Sequence, residues 1–269
     1  MLSLLLALGD FFLVLALALA AVFVRAIDGR GFLASAAVGF AIIFGGGLGW
    51  FIIVGTFFAL GVAFTWYKYG YKKKLGGAQE KGGERNWPNI LANGGVASLF
   101  AVGNLFRPGM VFAGLFLGAI GAAAADTVGT ELGLLSEKPP RLIVNPARQV
   151  PPGTSGAVSL LGFLGAILAS MVIGAMALFL GIMGDSLLVI PSCLLGSLAG
   201  AIADSVLGAT AQRKGYCKVC LRQTEALHHC GEKTTVTGGV PYIENNLVNV
   251  AATVVGALVS LGVLALAGI

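Results

Sequence analysis

The chain has 269 residues, 57% of them hydrophobic and only 11% charged, with 41 glycines and a formal net charge of +5. Soluble domains carry about 25% charged residues and about 7% glycine, so this composition excludes an ordinary soluble enzyme and predicts an all-α, polytopic helical membrane protein. The excess of Gly and Ala predicts close helix contacts, because lipid supplies no hydrophobic drive between helices.

Eight transmembrane spans are predicted. The first, Leu2 to Val24, is interrupted only by Asp10, and residues 1–9 carry no basic segment of a cleavable signal. Arg25, Asp28 and Arg30 form a polar turn. Phe32 to Phe64 is then apolar for 33 residues. As one helix it would be about 50 Å long, against a hydrocarbon core of about 30 Å. Gly45-Gly46-Gly47 near its middle divides it into spans 31–45 and 48–65. The loop that follows, 65–88, holds Lys68, Lys72, Lys73, Lys74, Lys81 and Arg85, with Tyr67, Tyr69 and Tyr71 at the membrane edge. Its lysine triplet reads as an anchor for anionic lipid. Span four follows Pro88 and ends at the Arg107-Pro108-Gly109 turn. Span five is Met110 to Val128, span six Gly153 to Leu180, span seven ends near Ala209, and span eight is Asn245 to Ile269. The remaining polar loops, 136–152 and 211–244, are too short for an independent nucleotide-binding domain, so residues 1–269 read as one integral-membrane domain. Nucleic acid is not an expected partner, because the basic groups hug the bilayer.

With eight spans, loops 25–31, 65–88, 136–152 and 211–244 share one side and contain 16 of the 17 Lys and Arg residues. Such asymmetry marks the cytoplasmic side and puts both termini outside. A single helix over 32–64 would reduce the count to 14, so the charges favour eight spans. The same topology gathers nearly every unusual polar residue at the cytoplasmic helix ends.

Two stretches there echo one another: G-A-I-G-A-A-A-A-D-T-V from Gly118 and G-S-L-A-G-A-I-A-D-S-V from Gly196. In each, a Gly stands eight residues before an Asp, which closes a long apolar run. A carboxylate in that position is costly unless it faces protein, water or a cation. Small residues upstream would let the helices approach and bring Asp126 and Asp204 together. Simple reuse of a helix-packing pattern is the alternative. Mg²⁺ takes one or two carboxylates and completes its shell with water and substrate phosphate. Asp126 and Asp204 fit that need; Glu131 is a third candidate, or else a solvated carboxylate. Thr130 shares a face with Asp126, and Gly208 and Gln212 share one with Asp204 if the helix continues.

Gly153-Thr154-Ser155-Gly156 opens span six as a phosphate cradle or an ordinary cap, with Ser159 further in. Arg85-Asn86 and Asn93 flank the start of span four, and Asn245, Asn246 and Asn249 open span eight. Membrane asparagines are interhelical glue or contacts to a polar substrate, and three within five residues favour substrate. Cys217, Cys220, His228, His229 and Cys230 lie in the last polar loop. Cys217, Cys220, Cys230 and one histidine, taken as His228, suit a structural Zn²⁺, with free thiols or a redox pair as alternatives. His229 and Cys230, being adjacent, are not expected to ligate together. No Walker-type G-x-x-x-x-G-K-[ST] occurs in the sequence.

These elements stand in a fixed order: Arg85-Asn86, Asn93-Gly94-Gly95, Ala125-Asp126-Thr127 with Thr130-Glu131-Leu132-Gly133, Gly153-Thr154 with Gly156 and Ser159, Asp204-Ser205 with Gly208 and Gln212, and Asn245-Asn246 with Asn249. In that order they resemble the integral-membrane family once catalogued only as a domain of unknown function, which includes the plant plastid phytyl-phosphate kinase. The resemblance covers nearly the whole chain. It implies conversion of an isoprenoid monophosphate into the diphosphate, with a nucleoside triphosphate donor. Likeness to CTP-dependent phytol and dolichol kinases points to CTP. The residues fit such chemistry: phosphoryl transfer needs positioning, metal and positive charge more than a strong base. Asp126 and Asp204 would hold Mg²⁺, Arg85, with Arg148 or Arg213, would neutralise phosphate, Thr154 would cradle it, and spans five and seven would leave a groove for the prenyl tail. Two other readings remain open. A cytidylyltransferase would form a CDP-lipid with the same groups, and a transporter would use the repeated elements as an internal repeat.

The predicted sidedness is checked by reporter fusions. Alkaline phosphatase joined after Pro108 should be active and after Asn86 inactive, with a fluorescent-protein reporter giving the converse. The same result at both sites rules out the eight-span arrangement.

Overall fold

The computed structural model describes residues 2–75, 77 and 80–269; Met1, Gly76, Ala78 and Gln79 lie outside the described residues. The apolar chain is cut into helices by glycines and side-chain caps. The long helices are α1 Leu2–Phe23, α2 Gly29–Gly46, α3 Leu48–Trp66, α5 Trp87–Phe106, α6 Met110–Gly133, α7 Leu160–Phe179, α8 Val189–Thr210 and α9 Asn245–Leu266, with a short α4, Tyr69–Leu75, between α3 and α5. Among the described residues, seven of these are long and apolar enough to cross a membrane, and α1 adds a shorter apolar stretch, Ala7–Phe23. The protein is a multi-pass integral membrane protein built of helices, as the composition predicts.

The local causes are specific. Asp28 caps α2 by accepting from the Gly31 amide at 2.7 Å. Gly47, at φ 83°, separates α2 from α3 where the glycine triplet predicts a break. Asn86 caps α5, accepting from the Asn89 amide at 3.1 Å, and Pro88 stands in the first turn.

Two helix limits differ from the sequence reading. Span five, expected to end at Val128, continues to Gly133, and Glu131, a metal candidate or else a solvated carboxylate in the sequence reading, has partners inside the fold. Span six starts at Leu160 rather than at Gly153. Gly153 and Gly156 adopt left-handed backbone, at φ 80° and 75°, and the chain then extends before the helix begins. That extended piece is β3, Ala157–Val158, which joins β1, Arg141–Leu142, and β2, Asn145–Gln149, in an antiparallel sheet of order β2-β1-β3. A short β4, Ile182–Asp185, lies between α7 and α8. The last polar loop is folded as well. Its sheet has order β6-β5-β9, from Lys214–Cys217 (β5), Arg222–Thr224 (β6) and Thr235–Gly238 (β9), and its hairpin pairs His228–His229 (β7) with Glu232–Lys233 (β8).

Helix α6 is the axis of the bundle: 78% of its apolar window is buried, against 28–44% in the other six spans. Trp50 of α3 stacks on its Phe116 at 4.3 Å between ring centroids. On its other side, α8 and α9 approach at backbone distance. A Cβ on Gly196 would lie 2.6 Å from the Gly256 carbonyl oxygen, and one on Gly256 would lie 2.5 Å from the Gly118 carbonyl oxygen. Glycine is required at all three positions, because the opposing atoms are backbone and cannot move aside.

Gly118→Val should therefore reduce stability by about 1–3 kcal/mol. Gly55→Val, where a Cβ meets nothing within 4 Å, should change little. Thermal unfolding in detergent checks this, and equal melting of the two variants contradicts the packing account.

Candidate functional site

The glycine contacts set the register of α6 against α8. Asp126 and Asp204 each follow their contact glycine, Gly118 and Gly196, by eight residues, so they emerge at the same end of the bundle. Both line one cavity of about 760 Å³. Glu225 lines the same cavity. Small-residue packing and a shared carboxylate site, which the sequence leaves as alternatives, therefore coexist.

A polar relay crosses three helices behind them. Asn249 of α9 donates through Nδ2 to Asp204 Oδ2 at 3.1 Å, and its Oδ1 accepts from Asn93 Nδ2 of α5 at 3.2 Å, the amide orientation that satisfies both ends. Asn93 Nδ2 also donates to the Asn89 carbonyl at 2.9 Å. Both asparagines are buried, so the relay fixes the Asp204 carboxylate in place.

Thr130, Thr154, Ser159, Gln212 and Asn245 also line the cavity, with Gln212 Nε2 donating to Asn245 Oδ1 at 3.5 Å. Thr154 and Ser159 are held differently from expectation. Thr154 donates its hydroxyl to the Pro151 carbonyl at 2.7 Å in a turn ahead of the helix. Ser159 is the cap of α7, accepting from the Gly162 amide at 3.1 Å. Asn86 and Asn246 are not among the lining residues; Asn86 is occupied as the α5 cap.

Arg85 enters from the loop before α5. Its backbone is fastened by donation to the Ala26 carbonyl at 2.9 Å and by acceptance from the Asp28 amide at 3.0 Å. Its guanidinium lies over the Phe58 ring, 5.9 Å from the centroid, and donates no hydrogen bond to the described residues. Burial pulls its pKa below the ordinary arginine value, and the charge of Glu131 opposes that. Arg213 is elsewhere. It is buried, and its guanidinium donates to the carbonyls of Glu225 at 3.0 Å and Ala226 at 2.9 Å and to Thr234 Oγ1 at 2.7 Å. It is a brace for the last polar loop. Arg148 is exposed on β2 and does not line the cavity.

Glu131 lines the cavity, yet both of its oxygens are occupied. Oε2 accepts from Lys72 Nζ at 2.5 Å and Oε1 from the Thr65 hydroxyl at 3.1 Å. Lys72 is 0% exposed and also donates to the Phe64 carbonyl at 2.5 Å. The role of the triplet's first lysine thus changes: α4 turns Lys72 inward while Lys73 and Lys74 stay exposed. A helix places successive residues about 100° apart, so three adjacent lysines cannot all face the bilayer surface.

Cys217, Cys220, His229 and Cys230 bring their ligand atoms within 4.8 Å of one another and could hold a metal ion. The histidine is His229 and not His228. His229 Nδ1 lies 3.4 Å from Cys220 Sγ and 3.2 Å from Cys230 Sγ, whereas His228 is exposed. Alternation along β7 sends the two histidines to opposite faces. The left-handed backbone of Cys230, at φ 52°, curls the chain so that adjacent residues converge. The Cys220 amide and His229 bring the Cys217 thiol down to about 6, favouring the thiolate that binds metal.

Glu225, from inside the Cys and His loop, is a lining residue that the sequence reading does not name; it accepts from the hydroxyl of Ser155, in the Gly153-Thr154-Ser155-Gly156 stretch. Glu225 carries no motif signal, since it is 21 residues from Asp204 in sequence and reaches it only through the fold.

Residues 12–257 match the family described as integral membrane protein DUF92. The chain belongs to that family. It is the one that the ordered motifs indicate. An uncharacterized membrane protein of Methanocaldococcus jannaschii is 32% identical over 80% of this chain and 84% of its own length. Protein PGR of Arabidopsis thaliana is 33% identical over 66% of this chain and 68% of its own. The chloroplast protein VTE6 of the same plant is 30% identical over 61% of this chain, which spans 50% of VTE6. No solved structure matches this member of the family.

Removing the Lys72 charge alone leaves Glu131 buried and uncompensated. Lys72→Met should destabilise the protein by about 3–5 kcal/mol, and Lys72→Met with Glu131→Gln should recover most of it. Detergent unfolding of the single and double variants checks this; an unrecovered double variant contradicts a simple ion pair.

Proposed function

We propose that the chain is an isoprenoid-phosphate kinase that transfers the terminal phosphoryl group of a nucleoside triphosphate, CTP by family resemblance, to a membrane isoprenoid monophosphate. The observation that carries this reading is the meeting of opposite chemistries in one cavity: Asp126, Asp204 and Arg85 share it with an apolar wall. That wall comes from Leu160 and Phe163 of α7 and Leu198 and Ile202 of α8, and Leu160, Phe163 and Ile202 are also exposed on the outside of the bundle. A lipid phosphate could present its head to the charged groups while its tail lies between α7 and α8. A groove between spans five and seven is not used, because Gly118 of α6 and Gly196 of α8 are too close to leave one. Membership in a family that includes the plant phytyl-phosphate kinase supports the substrate class.

An oxygen of the lipid monophosphate attacks the γ-phosphorus of the triphosphate. The bond from that phosphorus to its β-bridging oxygen breaks, leaving isoprenoid diphosphate and nucleoside diphosphate. Arg85, whose guanidinium has no competing hydrogen bond among the described residues, supplies a planar set of donors to phosphate oxygens. Glu131 is paired with Lys72, so among the described lining residues Asp126, Asp204 and Glu225 face one cation, Arg85, with Lys214 near Glu225 from outside the lining. That excess of negative charge and its oxygen donors suit Mg²⁺, which Asp126 and Asp204 would hold. Bound there, Mg²⁺ would neutralise charge on the transferring phosphates. The asparagine relay keeps Asp204 oriented, and Thr130, Gln212 and Asn245 offer polar contacts to the nucleotide. The cluster of three cysteines and His229 suits structural Zn²⁺, since all four ligands close the site. The cavity end would face the cytoplasm, where the charge asymmetry puts the basic loops.

Asp126→Asn and Asp204→Asn each keep the size of the side chain and remove a charge that would bind the metal. Each should lower turnover by about 10² or more without unfolding the protein, and the double variant should be little worse than either single one. Formation of isoprenoid diphosphate from the monophosphate, with CTP and other triphosphates and with and without Mg²⁺, is the assay. Near wild-type activity in both single variants moves the site elsewhere, and pyrophosphate with a CDP-lipid as products identifies a cytidylyltransferase instead.

A further inference from the structure

Glu225 stands midway between two pairs of metal-ligand candidates, five residues after Cys220 and four before His229, yet its carboxylate lines the cavity. Its Oε1 accepts a hydrogen bond from the Ser155 hydroxyl, in the glycine-flanked turn that leads into α7. Gln212, just past the end of α8, lines the same cavity. The backbone beneath it is fixed by Arg213, which donates to the carbonyls of Glu225 and Ala226 at 3.0 and 2.9 Å. Thr234 completes the seat, donating its hydroxyl to the Ala226 carbonyl at 2.7 Å. Segment 225–227 is thus a strap between β6 and β7. Its inner side carries a carboxylate over the cavity, and its two ends run into the cysteine and histidine cluster.

We infer that a zinc ion held by Cys217, Cys220, His229 and Cys230 fixes this strap, and that Glu225 is a positioning residue which, through Ser155, holds the 153–157 turn against the phosphate end of the cavity. The strands of this loop are two to four residues long and bury little apolar surface. They have few interactions of their own to keep Glu225 in place, so a cross-link at the strap's ends is what can hold it. The glycines explain why the turn needs an external tie. Gly153 and Gly156 are both left-handed, and the turn meets the sheet at its far end, where the Ile143 amide donates to the Gly156 carbonyl at 3.0 Å, while Ser155 is tied through Glu225. The inference rests on the phosphate-site reading for its kinetic effect, and on geometry alone for its structural effect.

The test uses the full-length protein in detergent or nanodiscs, purified without chelator. Wild type and Glu225→Gln should contain about one zinc per chain, and Cys217→Ser with Cys230→Ser should contain none. Amide hydrogen exchange over 153–157 should accelerate about tenfold or more on metal loss and in Glu225→Ala, while α6 stays protected. Glu225→Gln, which can still bond Ser155, should restore the protection. In the kinase assay, Glu225→Ala should raise KM for the phosphate substrate about tenfold with kcat nearly unchanged, and Glu225→Gln should recover most of that. Unchanged exchange at 153–157 after metal loss overturns the inference, as does protein that contains no zinc. The exchange measurement decides the strap even where wild type shows no kinase turnover, an outcome that overturns the kinase reading alone.

Discussion

The contact on which the rest of this protein depends is the backbone-to-backbone approach of α6, α8 and α9 at Gly118, Gly196 and Gly256. In lipid, helices gain nothing by hiding apolar surface from one another, so association depends on close van der Waals fit and on polar contacts. Three glycines supply the fit. Because the contact lies between backbones, it fixes both the distance and the axial register of the helices. Two turns further on, the same register delivers Asp126 and Asp204 to one cavity.

Around that cavity the protein has answered the problem of charge near lipid in three ways. Glu131 is matched by Lys72, an internal ion pair that joins α4 to the end of α6. Asp204 is held by the asparagine relay, whose amides take up its lone pairs without a countercharge. Asp126, Asp204 and Glu225 are left with Arg85 as the lining cation. Three carboxylates beside one lining arginine among the described residues are the charge pattern on which the proposed ligand site rests. This is the physical basis for proposing that the cavity takes a metal and a phosphate.

The polar loops do more than connect spans. The 141–158 sheet sets the turn that bears Thr154 and Ser155, and the 214–238 sheet carries Glu225 to the same cavity. Arg213 shows how a basic residue near the cavity can serve another purpose, since its terminal nitrogens donate to the Glu225 and Ala226 carbonyls and to the Thr234 hydroxyl. Its proximity in sequence to Gln212 would otherwise assign it to substrate.

Composition and hydrophobic run length by themselves determined the membrane class, the break at Gly45-Gly46-Gly47 and the eight long helices, because span length is set by bilayer thickness and a glycine triplet is a local signal. The repeated Gly-to-Asp spacing likewise determined that Asp126 and Asp204 share a helix end, since the interval and alternating direction of spans are properties of the chain alone. What only the tertiary structure decided are the partnerships. Lys72 rather than its neighbours turns inward, His229 rather than His228 joins the cysteines, Ser159 rather than Thr154 begins α7, and Glu225 reaches the cavity. Each depends on a choice of rotation or a backbone turn, at φ 52° in Cys230 and 80° in Gly153, that adjacent residues of the same type leave undetermined. Such choices are settled by which face another segment covers, and that is a property of the packed molecule.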